Sequence, residues 1–154
     1  AVDPRDSRIV YVSTDGSGLL KSSDAGTSWE RIYKQFETFD YARRAKILVM
    51  DPSLANTLYS VSKYGILRTQ DGGASWAALN LPTPPDTTDI RAMVIHPRNS
   101  NLIVYATNSN IVFSADGGKT WAPKKLPTHR GVAALLFDNA SSSSLFLGAS
   151  PVKK

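Results

Sequence analysis

The acidic residues are the first place to look for chemistry in this chain, because it has no cysteine and only two histidines. Without cysteine there is no thiolate nucleophile, no disulfide and no Cys-based metal site. Glycoside hydrolysis would need two carboxylates facing each other across a cleft. Among the 13 acidic residues, three recur in a repeated turn motif, and Asp3 and Asp51 each follow an apolar segment or its remnant. Asp40, Asp86 and Asp89 remain in loops, so a carboxylate pair there stays open as the catalytic alternative.

Other signs of catalysis or cofactor binding are absent from the sequence. It contains no Gly-rich phosphate loop, no G-x-S-x-G and no H-E-x-x-H. We therefore expect no catalytic residues, no metal and no cofactor. The net charge is +5, which favours an acidic protein segment or an anionic glycan as partner. Nucleic acid is not expected, because no recognition motif accompanies the charge. No apolar run approaches the roughly 18 residues of a membrane span.

An eight-residue motif occurs three times, at residues 22–29, 69–76 and 114–121, and its aspartates are 47 and then 45 residues apart. The equivalent residues are Asp24, Gly26 and Trp29; Asp71, Gly73 and Trp76; and Asp116, Gly118 and Trp121. The aspartate can accept hydrogen bonds from backbone N–H groups of a turn, and the glycine suits a positive φ. We expect each tryptophan to be buried against a neighbouring sheet. A calcium loop is excluded, because glycine, alanine and serine follow Asp71 where further ligands would be needed.

Short β-rich segments keep the same spacing as the motif. Each unit reads as four strands, which we name A to D, with the motif between C and D. The units span about 1–44, 45–89 and 90–131, with a partial unit at 132–154. Strand A, as in 46–50, is almost continuously apolar, which predicts burial on both faces. Four strands per unit predict an all-β propeller of four-stranded antiparallel blades, with about three blades present in an incomplete ring.

The repeated motif resembles the Asp-box, or BNR repeat, S-x-D-x-G-x-T-W. Thr69 replaces the first serine, and Ser28 and Ser75 replace the threonine. Asp-box propellers include bacterial sialidases, xyloglucanases, sortilin receptors and photosystem II assembly factors. The resemblance implies that the box is structural and lies away from the active face. It also implies a secreted or periplasmic location. Arg31 and Ile32 are the nearest match to the sialidase Arg-Ile-Pro motif, but the proline is missing.

The face opposite the boxes, formed by the D–A and B–C loops, is the remaining place for a site. Loop 33–44 is rich in aromatic and cationic residues, and loop 122–131 is basic. We expect a binding patch that consists of Tyr41, Arg43, Arg44, Lys124, Lys125 and Arg130. The predicted function is a non-catalytic scaffold that binds proteins or other ligands through this face. We expect the chain to be part of a homo-oligomer or of a larger propeller. The alternative is a fragment of a xyloglucanase-like or sialidase-like glycosidase whose catalytic acids lie outside this chain.

Overall fold

The computed structural model describes residues 1–14, 18–32, 36, 38–39, 41–126, 130–140 and 144–150. Thirteen strands within these ranges form four antiparallel sheets that follow one another along the chain. The strands are β1 (Val10–Thr14), β2 (Gly18–Ser22), β3 (Glu30–Arg31), β4 (Ile47–Met50), β5 (Leu58–Ser62), β6 (Gly65–Thr69), β7 (Ala77–Ala78), β8 (Ala92–His96), β9 (Asn99–Ala106), β10 (Asn110–Ser114), β11 (Ala122–Lys125), β12 (Gly131–Phe137) and β13 (Leu145–Ser150).

Each sheet is a meander in which every strand pairs with the next one along the chain. The second sheet has the order β4-β5-β6-β7, and the third has β11-β10-β9-β8. The first contains β1-β2-β3, and a bridge from Val2 to Val10 marks the remnant of a strand A. The last contains β12 and β13. Four-stranded meanders stacked in sequence are the blades of a β-propeller, so the predicted all-β, incomplete propeller is confirmed.

The hydrophobic core is divided into three clusters, one between each pair of successive blades. Leu58 of blade 2 packs with Tyr11 of blade 1 in the first cluster. Tyr59 joins Met93 of blade 3 in the second, and Val104 joins Val132 of blade 4 in the third. The stacking of one blade on the next is therefore what buries apolar surface in this fold.

In blade 2 the most buried strand is B rather than A. All five residues of β5 are buried, whereas the four residues of β4 are only half-buried. The expectation of complete burial for strand A is wrong for β4 and also for β12, in which only Val132 and Phe137 are buried, whereas β8 is mostly buried. Strand β5 is paired on both sides, with β4 and β6, and is covered on both faces.

The turns between strands A and B share one capping arrangement. A side chain at the end of strand A accepts a hydrogen bond from the backbone N–H two residues later. The pairs are Arg5 N to Asp3 Oδ1 at 2.9 Å, Ser53 N to Asp51 Oδ1 at 2.8 Å, Arg98 N to His96 Nδ1 at 3.1 Å and Ala140 N to Asp138 Oδ1 at 2.9 Å. This explains why aspartate or histidine recurs there: each can close an Asx-type turn.

Candidate functional site

The three Asp-boxes form the same network of hydrogen bonds. In the first, Ser28 N donates to Asp24 Oδ1 at 2.8 Å, and the Ser28 hydroxyl donates to Asp24 Oδ2 at 2.6 Å. Ser22 Oγ donates to Asp24 Oδ1 at 2.7 Å and accepts from Gly26 N at 2.8 Å. Asp71 and Asp116 accept the equivalent bonds from Ser75 and Thr120. Both carboxylate oxygens are therefore occupied within the turn, as a structural role requires.

These hydrogen bonds stabilise the charged form of each box aspartate. The hydroxyl and backbone N–H of Ser28 lower the pKa of Asp24 to about 2. Ser75 has the same effect on Asp71, whose pKa is also lowered to about 2. Thr120 lowers the pKa of Asp116 well below its usual range. A carboxylate with such a low pKa is a poor general acid near neutral pH, so the boxes are not suited to acid–base chemistry.

Two of the three box tryptophans, Trp76 and Trp121, pack against the preceding blade. The ring of Trp76 lies 5.0 Å from the ring of Phe36 and is 9% exposed. Trp121 donates from Nε1 to the carbonyl of Asn80 at 3.0 Å and is half-buried. Trp29 is 43% exposed, and its Nε1 bonds to Gly26 of its own box. The expected burial is thus wrong for Trp29 in this structure, since its ring is largely exposed and its indole N–H is used within its own box.

Side chains of strands B and C also connect the second and third boxes to the blade before each of them. The Tyr11 hydroxyl donates to the carbonyl of Gly72 at 3.3 Å, and Arg68 donates to the carbonyl of Gly117 at 3.2 Å. Burial raises the pKa of Tyr11 to about 12, so its hydroxyl stays protonated as a donor. The box turns are therefore part of the contact between blades as well as of the hairpin.

The opposite face contains a cavity of about 910 Å³ between blades 1 and 2. Its aromatic lining residues are Phe36, Phe39 and Tyr41, and its cationic lining residues are Arg43, Arg44, Lys46 and Lys63. Phe36 is almost completely buried at the bottom, whereas Tyr41 is exposed at the mouth. The cavity lining combines cationic and aromatic side chains, which suits a ligand that carries both negative charge and apolar groups.

The exposed Tyr41 has a strained backbone. Its φ is +63°, in the left-handed region that a bulky side chain rarely adopts. Its side chain lines the cavity and is 62% exposed, so no local burial accounts for the strain. Strained residues of this kind are concentrated at binding and catalytic sites.

Three of the six predicted patch residues come together, and three lie elsewhere. Tyr41, Arg43 and Arg44 line the cavity between blades 1 and 2. Lys124 and Lys125 are not in a loop: they belong to β11, where they pair with Ile111 and Asn110. The loop prediction missed this strand because it contains Pro123, which only an edge strand tolerates well. Arg130 is exposed immediately before β12, and none of these three lines the cavity.

Two cationic lining residues were missed from the sequence. Lys46 directly precedes β4, and Lys63 lies in the turn between β5 and β6. Each is bound to a carboxylate of the blade 2 D–A loop: Lys46 Nζ lies 3.0 Å from Asp89, and Lys63 Nζ lies 3.7 Å from Asp86. Both lysines lie next to strand ends on the face formed by the D–A and B–C loops, and this position in the sequence could have predicted their place in the cavity lining.

The loop carboxylates considered for catalysis have other roles where the structure describes them. Asp89 binds both Lys46 and Arg91, and these contacts lower its pKa. Asp86 binds Lys63. Asp40 lies outside the described residues. Among the described residues, no group of three or more His, Cys, Asp or Glu side chains could hold a metal ion. Within the same ranges, no helix has the length and apolarity needed to cross a membrane.

The meander sheets, the boxes between strands C and D and the core clusters between blades define an Asp-box β-propeller. The chain belongs to the Sortilin-Vps10 family, whose model, described as sortilin, neurotensin receptor 3, matches residues 17–146. The xyloglucanase Xgh74A of Acetivibrio thermocellus is 31% identical over 100 residues, which cover 51% of this chain and 12% of the enzyme. The chain thus spans about an eighth of the length of this curated relative.

Two solved structures show the same fold at low identity. The GH74 enzyme of Niastella koreensis superposes with a TM-score of 0.74 at 18% identity, covering 96% of this chain and 25% of that one. YCF48 bound to D1 peptide gives a TM-score of 0.63 at 18% identity, covering 92% of this chain and 43% of that one. The chain is therefore a propeller segment that resembles part of an enzyme and part of a peptide-binding protein.

Proposed function

We propose that this chain is a non-catalytic propeller segment that binds an acidic protein segment through the cavity between blades 1 and 2. The observation that carries the proposal is the lining of that cavity. Arg43, Arg44, Lys46 and Lys63 provide positive charge around the aromatic side chains of Phe36, Phe39 and Tyr41. Cationic and aromatic side chains are the types favoured where binding energy is concentrated.

The charges of the cavity are accessible to a ligand. Arg43 and Arg44 are exposed, and the ion pairs of Lys46 and Lys63 lie at the surface. Exposed ion pairs are each worth about 0–1 kcal/mol, so a carboxylate of the ligand can compete for these lysines at little cost. The net charge of +5 adds long-range attraction for an acidic partner.

The test uses a labelled synthetic peptide of alternating glutamate and leucine, with binding measured by fluorescence anisotropy. We expect binding to weaken as salt rises from about 50 to about 300 mM, because the Debye length shortens. A double variant, Arg43→Glu with Arg44→Glu, should bind at least about tenfold more weakly.

The matched control is the double variant Lys124→Glu with Lys125→Glu. It changes the net charge by the same amount, but on β11, outside the cavity lining. We expect it to bind almost as well as the parent. Equal weakening by the two double variants would contradict a cavity site and would favour the wider patch or net charge alone. A sulfated glycan that binds more tightly than the peptide would contradict the protein partner.

A glycosidase fragment is the second candidate, favoured by the 31% identity with a xyloglucanase over 51% of this chain. In that case the catalytic acids lie outside the chain, and the aromatic side chains of the cavity would stack on sugar rings. Xyloglucan oligosaccharides would then bind in a manner insensitive to salt and to the Arg43 and Arg44 substitutions. Isothermal titration with these oligosaccharides separates the two candidates.

The proposal includes a secreted or periplasmic location, which the family resemblance supports. Fractionation of the source cells, with an antibody against this chain, is the direct measurement. Recovery of the protein in the cytosolic fraction alone would contradict it.

A further inference from the structure

The cavity between blades 1 and 2 adjoins further cavities on the loop face, and the three described here are together called the groove. A second cavity, of about 340 Å³, shares the lining residues Lys46 and Lys63 with it. This second cavity in turn shares Thr87, Thr88 and Asp89 with a third, of about 420 Å³, which reaches blade 3. The shared side chains make the three cavities neighbours in a row across blades 1, 2 and 3.

The chemistry of the groove changes along its length. The first cavity is lined by four cationic side chains. In the middle, Lys46 and Lys63 face the carboxylates of Asp89 and Asp86. The third cavity is lined mainly by neutral hydroxyl and amide groups, including those of Thr83 and Asn108, with Tyr105 beneath them. Of its lining residues only Asp89 is charged, and Asp89 is already bound to Lys46 and Arg91.

We propose that the ligand is an extended polypeptide segment that lies along this groove, with an acidic part in the cationic cavity and an uncharged polar part in the third cavity. This inference rests on the proposed function, because it extends the same site. A polypeptide fits better than a glycan, because the groove combines cationic, apolar and neutral polar regions, and only a polypeptide varies its side chains in that order. Backbone amides of an extended segment also match hydroxyl and amide partners.

The experiment compares three labelled peptides by fluorescence anisotropy: an acidic block alone, a block of serine and asparagine alone, and the two blocks joined. We expect the joined peptide to bind roughly tenfold more tightly than the acidic block, since linked contacts act together. The neutral block alone should bind weakly. A sulfated glycan of similar length is included as the competing ligand.

Blocking variants locate the neutral block. Asn108→Trp, at an exposed position in the lining of the third cavity, should remove the advantage of the joined peptide and leave binding of the acidic block unchanged. Thr83→Trp, on a different loop of the same cavity, is the second variant in case the first does not fold. Ala78→Trp, exposed on β7 and outside these cavity linings, is the matched control and should keep the advantage.

The outcomes separate the two proposals. If the acidic block binds but the joined peptide gains nothing, or if the blocking variants behave like the control, the extended groove is wrong and the proposed function stands. If no acidic peptide binds, the proposed function fails and the groove with it. If the glycan binds as tightly as the joined peptide, the assignment of a polypeptide ligand is overturned.

Discussion

The three box tryptophans occupy the same sequence position, but they should contribute unequally to stability. Trp76 is 9% exposed and Trp29 is 43% exposed. The difference is roughly a third of a side chain of about 200 Å², or about 70 Å², which is worth about 2 kcal/mol at ~25 cal/mol per Å². The ring contact between Trp76 and Phe36 adds about 0.5–1.5 kcal/mol. Trp76→Ala should therefore destabilise the fold by about 2–3 kcal/mol more than Trp29→Ala.

The measurement is equilibrium unfolding in urea, followed by far-ultraviolet circular dichroism so that the loss of a fluorescent tryptophan does not matter. A core tryptophan replaced by alanine usually costs about 3–5 kcal/mol, which sets the expectation for Trp76→Ala. The denaturant dependence of the unfolding free energy should be unchanged in both variants, so that midpoints can be compared. Equal losses for Trp29→Ala and Trp76→Ala would show that burial against the preceding blade does not determine the role of the box tryptophan.

Three further predictions concern the boxes and the cavity. Gly73→Ala should destabilise by about 2–3 kcal/mol in urea unfolding, because φ is +99° and an added Cβ would lie 2.6 Å from Ile32 Cδ1. Gly26→Ala should cost only about 1 kcal/mol, because φ is +92° but the added Cβ would make an ordinary contact of 3.6 Å with Trp29. Folding lowers the pKa values of the box aspartates. Their contribution to the free energy of unfolding is therefore complete above the unfolded pKa of about 3.9 and is lost as the pH falls through about 2. Urea midpoints should drop over this pH range, and a flat profile would contradict the box network. Tyr41→Gly should raise the unfolding free energy by about 1 kcal/mol, because glycine adopts the positive φ without strain, and it should weaken peptide binding. Tyr41→Phe should change the unfolding free energy and the affinity for the peptide only slightly.

The boxes could be predicted from the sequence because their hydrogen bonds are local. Each bond of Asp24 joins it to a residue at most four positions away. The spacing of the boxes then gave the length of a blade, and turn residues and short apolar runs gave its strands. Because these interactions lie within one hairpin, the residues that make them recur in the sequence wherever the hairpin is repeated.

The exposure of Trp29 and the lining of the cavity could not be predicted in this way. Trp29 has the same position in the motif as Trp76, but the burial of Trp76 comes from Phe36 of another blade, and the motif does not specify such a contact. Lys46 lies just before β4 and Lys63 in the turn between β5 and β6, whereas Arg43 and Arg44 lie at the end of blade 1, and all four line the cavity. Contacts of this kind depend on how the blades stack, and a short sequence pattern does not predict which residues of different blades meet.

The bonds from one blade to the next box have a consequence for the order in which the molecule opens. Tyr11 and Arg68 bind the carbonyls of Gly72 and Gly117, so blades 1, 2 and 3 are linked by polar contacts as well as by their cores. Blade 4 is linked to blade 3 as well, because Arg98 donates to the carbonyl of Asn139 at 3.5 Å and the two blades share a core cluster. Its described part has only two strands, however, and most of β13 is exposed, so this blade buries the least surface. In a stack with only nearest-neighbour contacts, the unit that buries the least surface detaches first. Backbone amides of β12 and β13 should therefore exchange with deuterium before those of β5 and β9, and the exchange rates should report a gradient along the chain rather than a single cooperative event.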